Sequence, residues 1–139
     1  MYHLVYISRA TQPFGQDELL ALLRISRDNN ARSEVTGVLL YANDRFFQVL
    51  EGPEAAVKAT AARIGRDPRH TTMDVLLDEP ISERQYAQWS MGYVSTETLP
   101  ADAQATFTRM LMASPHRSDD EASHTMLRLL LKTLRQGEA

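Results

Sequence analysis

Two polar residues set inside apolar runs carry the strongest chemical signal in this sequence. Gln48 stands within Phe46-Phe47-Gln48-Val49-Leu50, and Tyr6 within His3-Leu4-Val5-Tyr6-Ile7-Ser8. On an extended strand Gln48 shares a face with Phe46 and Leu50, so its amide is expected to be buried and in need of partners. A buried amide left unpaired costs about 1–3 kcal/mol. Its partner is either a local protein group, as for most buried polar atoms, or a bound ligand. Tyr6 reads more simply, as a core ring whose hydroxyl is tied to a carbonyl. Asn29-Asn30 closes a helical pattern and reads either as an ordinary helix end or as a second source of amide groups. Arg63, Asp67, Arg69 and His70 gather near the end of a second helix, as a solvated surface or as the rim of a site.

Most familiar chemistries find no footing here. The chain has no cysteine, which excludes disulfides, thiolate metal sites and cysteine nucleophiles. Its four histidines, His3, His70, His116 and His124, have no partner at metal-ligand spacing, so no metal site is expected. There is no nucleophile elbow, Walker loop or dinucleotide fingerprint, and only six glycines from which to build a phosphate cradle. A net charge of −3 lacks the basic surplus that phosphate neutralisation needs, so nucleic acid is not an expected partner. No apolar run approaches the ~18 residues of a membrane span. The opening Met1-Tyr2-His3-Leu4 has no charged leader, and a soluble cytoplasmic protein is expected.

The elements that must position these residues follow from pattern. With 139 residues the chain is of single-domain size and long enough for a substantial core. Residues 2–8 read as a first strand, and Asp17 and Glu18 open a helix over about 16–29. Val35–Tyr41 and Phe46–Leu50 read as two antiparallel strands joined by a tight turn at Asn43-Asp44. Pro53 opens a second helix to about 65. Met73–Leu77 and Trp89–Val94 complete a β-α-β-β-α-β-β order, an α+β ferredoxin-like sheet with two helices on one face. The other face needs cover. Amphipathic patterns over 101–113 and from Asp119 to Arg135 suit a C-terminal helical cap. The expected division is 1–97 for the sheet domain and 98–139 for the two-helix extension.

Taken in order, Tyr6-Ile7-Ser8-Arg9-Ala10, Asn30-Ala31-Arg32, Thr36-Gly37-Val38-Leu39-Leu40-Tyr41, Phe46-Phe47-Gln48-Val49-Leu50-Glu51-Gly52, Asp67-Pro68-Arg69-His70 and Trp89-Ser90-Met91 resemble the BLUF family of flavin-based blue-light sensors. The resemblance spans about residues 2–95, and the remaining forty resemble the helical cap of short, single-domain members. It implies a flavin, FAD with FMN or riboflavin as alternatives, held between the two helices and the sheet. It also implies roles. Tyr6 gives an electron and a proton to the excited flavin. Gln48, between Tyr6 and the ring, rotates or tautomerises and so rewires the hydrogen bonds to yield a red-shifted state. Asn30 and Arg63 bond the polar edge of the ring, and Asp67 and His70 contact that edge or support the pocket. Ser26, Leu40 and Ile64 line the cavity. Trp89 and Met91 lie on one strand face and exchange places near Gln48 to carry the signal outward.

The implied protein is a photoreceptor and not an enzyme, passing its signal to a homo-oligomer interface or a separate partner protein, with no membrane involved. Two other readings stand beside it. One is an acylphosphatase-like hydrolase using Arg63 and Asn30, although the glycine-rich anion loop it needs has no counterpart. The other is a ligand-binding regulatory module without photochemistry, against which the intact Tyr6, Gln48 and Asn30 stand.

Overall fold

The aromatic and β-branched residues at the N-terminus form strand β1 (Tyr2–Ala10), which is paired on both sides and buried over most of its length. A computed structural model of the chain describes residues 1–12, 15–42, 44–68, 70–87 and 91–93, with isolated positions at 101, 104, 105 and 132. After β1, helix α1 (Gln16–Ser33) starts with Asp17 and Glu18 in its first turn and ends with Arg32 in its last, charges that complement the helix dipole. It runs four residues beyond the expected end. Ala31, Arg32 and Ser33 continue the turn, and the stop is Glu34, left-handed at φ 61°, whose N–H bonds the Asn30 carbonyl. Asn29 and Asn30 are therefore helical residues, and Asn30 is buried.

Strands β2 (Thr36–Ala42) and β3 (Arg45–Gly52) form the expected hairpin. Ala42 pairs with Arg45 across a two-residue turn in which Asp44 takes φ 61°, as such turns require. Gly37 lets these strands meet: a Cβ there would lie 1.8 Å from the Val49 carbonyl oxygen. Helix α2 (Glu54–Gly65) follows Pro53, and strand β4 (His70–Pro80) returns antiparallel to β1. The pairing of β4 with β1 shifts register between Val5 and Tyr6, the kind of irregularity that re-aims side chains beside a site. Strand β5 (Gly92–Tyr93) lies parallel to β2. The sheet order β4-β1-β3-β2-β5 contains the ferredoxin-like arrangement expected from the pattern.

Both faces of the sheet are buried. On one, Leu4, Tyr6, Leu39, Phe46 and Leu50 pack with Leu19 and Leu23 of α1 and Val57 and Ala61 of α2. On the other lie Val5, Val38, Leu40, Phe47, Val49 and Leu77. The Glu51 carboxylate sits fully buried on this second face, accepting bonds from Thr36 Oγ1 (2.9 Å), Gln85 N–H (2.8 Å) and Tyr86 N–H (2.6 Å). Arg84 adds bonds to Thr36 Oγ1 and to the Glu34 and Glu51 carbonyls. Together they fasten residues 84–86 to the hairpin. The expected C-terminal helices and the boundary at 97/98 fall outside the described residues.

Candidate functional site

Tyr6 of β1, Gln48 of β3 and Leu39 of β2 stand in one row across the sheet, each pair in direct register, so all three side chains point to the helix-covered face. Tyr6 is 2% exposed and Gln48 4%. The Tyr6 hydroxyl donates to Gln48 Oε1. At its other end the same amide donates from Nε2 to Met91 Sδ at 3.3 Å, and Met91 is itself buried. A thioether is a weak acceptor, so the amide is held firmly at its oxygen and loosely at its nitrogen. Burial pushes the Tyr6 phenol well above its usual range, and the nearby Asp67 charge adds to that, so the proton stays on the oxygen.

Beside this row is a cavity of about 220 Å³ between α1, α2 and the sheet. A cavity of about 150 Å³ admits a benzene, so this one takes a larger aromatic body. Its apolar walls are Leu22, Ile25, Leu39, Phe46 and Ile64, and its polar groups come from Ser26, Asn29, Asn30, Gln48, Arg63 and Asp67. Asn30 is 2% exposed, held inward by the buried side of α1. A flat ring system with carbonyl and N–H groups along one edge needs apolar contact on its faces and amide or guanidinium groups at that edge. The lining has both, and the residues present fit a flavin ring.

The cavity gathers Tyr6, Gln48, Asn30, Arg63, Asp67, Ser26 and Ile64, all of them implied by the sequence resemblance. Leu40 is a correction. It pairs with Phe47, one position off the Leu39–Gln48 row, and is buried on the opposite face; Leu39 lines the cavity instead. The backbone of His70 opens β4, its side chain lies outside what is described, and Trp89 falls outside the described residues altogether. Met91 is in contact with Gln48. Leu22, Ile25 and Asn29 were missed, although the i, i+3, i+4 spacing of 22, 25, 26 and 29 marks one helix face. Among the described residues no cluster of side chains could hold a metal ion.

A family model for sensors of blue light using FAD, BLUF, matches residues 1–92, two thirds of the chain and all of the site. The chain belongs to the BLUF family. It is accordingly a blue-light sensor that binds a flavin, and the hydrolase reading finds no support. A curated BLUF relative, photoactivated adenylate cyclase subunit beta of Euglena longa, is 41% identical over 97 residues, 69% of this chain. The match covers only 11% of that protein, so the chain spans about a tenth of its length. Among solved BLUF structures, the dark state of BlrB matches with a TM-score of 0.79 and 29% identity, covering 98% of this chain and 96% of that one. The photo-activated state of BlsA gives 0.77 and 26%, covering 96% and 94%.

Proposed function

We propose that this BLUF domain converts blue light into a reversal of the Gln48 amide, read out by Met91. The hydrogen bond from Tyr6 to Gln48 and from Gln48 to Met91 supports the reading: one amide joins the phenol to a residue next to β5. When bound, the flavin supplies the absorption of blue light and an excited ring able to take up an electron. Tyr6 is suited to donate because its proton, kept on by burial, can leave with the electron and come back with it. The cycle then leaves Tyr6 unchanged, and only the amide has moved. Gln48 can accept at one end and donate at the other, so rotation or tautomerisation exchanges which groups face Tyr6, Met91 and the cavity. An N–H withdrawn from Met91 and turned into the cavity adds a donor beside the ring, the change that a small red shift reports. Asn30 and Arg63 hold the polar edge of the ring, Asp67 and His70 support it, and Ser26, Leu39 and Ile64 enclose it.

The signal passes onward to a homo-oligomer interface or to a separate partner protein, in the cytoplasm and without catalytic turnover by this domain. No described helix is long and apolar enough to cross a membrane. The test is a set of light-minus-dark absorption spectra on flavin-loaded variants. Tyr6→Phe and Gln48→Leu are expected to retain flavin and lose the red-shifted product. A normal red shift in Tyr6→Phe would show that the donor lies elsewhere.

A further inference from the structure

Met91 is tethered twice, and only one tether depends on the photochemistry. Its sulfur receives Gln48 Nε2, while its backbone carbonyl receives Arg27 Nε of α1 at 2.9 Å. We propose that Arg27 is a latch on Met91 that sets how quickly the lit state relaxes. This rests on the reading of Tyr6, Gln48 and Met91 given above and adds a positioning residue to it.

The two tethers differ in strength and in what they sense. The sulfur contact is a weak, neutral hydrogen bond, whereas a guanidinium on a carbonyl is charge-assisted and stronger. Reversal of the Gln48 amide sets an oxygen lone pair against the sulfur, and the first tether is lost. Arg27 does not line the cavity and bonds main chain, so the second tether is indifferent to the amide. It holds the Met91 backbone beside the site while the side chain is released, and keeps it in reach for the return. Among the described residues, β5 pairs with β2 at Val38–Gly92 and Leu39–Tyr93, directly after Met91. The helix that carries Arg27 also presents Leu22, Ser26, Asn29 and Asn30 to the cavity, so the latch ties the strand that follows Met91 to the wall of the flavin site.

The experiment follows dark recovery of the absorption shift after a blue pulse, in wild type, Arg27→Gln, Arg27→Lys, Met91→Ala and the Arg27→Gln/Met91→Ala double variant. Arg27→Gln is expected to load flavin normally and to recover roughly three- to tenfold more slowly, the range for a partly exposed hydrogen bond to a charged group. Arg27→Lys, which still donates, is expected to fall between it and wild type. In the Met91→Ala background the main-chain bond survives but has no sulfur to return, so Arg27→Gln is expected to add no further change. A slowing that persists in that background would mean that Arg27 acts on general structure, and would overturn the latch. Unchanged recovery in Arg27→Gln, or loss of its flavin, would overturn it too while a normal wild-type shift left the reading of Tyr6 and Gln48 standing. A wild type with no shift would overturn both.

Discussion

In the proposed cycle Tyr6 and Gln48 divide the work by chemical type: a phenol can lose and regain an electron with its proton, and an amide can exchange its two ends. Neither could replace the other. The buried Tyr6 phenol keeps its proton through the range near 10 where a free phenol gives it up. The amplitude of the light-induced shift is therefore expected to stay constant from about pH 7 to 10, measured by difference spectra across a buffer series. A titration of the amplitude with a midpoint inside that range would contradict a buried, protonated donor. The sign for stability is fixed by the same group: the unfolded chain releases this proton near 10 and the folded chain holds it, so the associated stabilisation is full below ~10 and falls as pH rises further. These two residues were legible in the sequence because polar atoms in apolar strands must have partners. Met91 was harder. Trp89 and Met91 share strand parity, so sequence could not choose between them; the Gln48 amide donates to Met91, and Trp89 lies outside the described residues.

Elements place these groups through parity and register, and that is also where the sequence reading slipped. Val38-Leu39-Leu40-Tyr41 is apolar at every position because both sheet faces are buried, so alternation gives no hint of which leucine faces the helices. The register Leu39–Gln48–Tyr6 supplies the answer. β4 extends well beyond Met73–Leu77; at the edge of the described sheet it carries Thr71, Asp74, Asp78 and Glu79, polar residues that hide its strand pattern. Glu51 is the anchor that sequence motif alone did not explain. Its carboxylate caps the Gln85 and Tyr86 N–H groups and thereby sets where the chain departs toward Met91. Glu51→Ala leaves both N–H groups without that acceptor, and is expected to cost about 2–5 kcal/mol of unfolding free energy. Denaturant melts of the flavin-loaded protein measure this; a loss below about 0.5 kcal/mol, the usual range for a surface substitution, would show that the anchor contributes nothing.

For the whole molecule the issue is how a small change becomes a signal. Exchanging one hydrogen bond is worth about 1 kcal/mol and biases a two-state equilibrium by only about fivefold. The output must then be an element already near balance. We assign that role to β5, which follows Met91, and the chain continues from it into residues beyond 93. Limited proteolysis of those residues is expected to differ between dark and lit protein, and identical cleavage patterns would count against this exit route. The fold and the family were legible because pattern and motif agree from the first strand to Met91. The output was not, since nothing in a helical pattern says what it packs against. The central claim is that light rewires the bonds of one amide beside an otherwise unchanged flavin. An absorption spectrum of the purified, flavin-loaded protein before and after a blue-light pulse tests it most directly. The expected result is a flavin band displaced slightly to the red that returns in the dark; a band that bleaches, or that does not move, would contradict it.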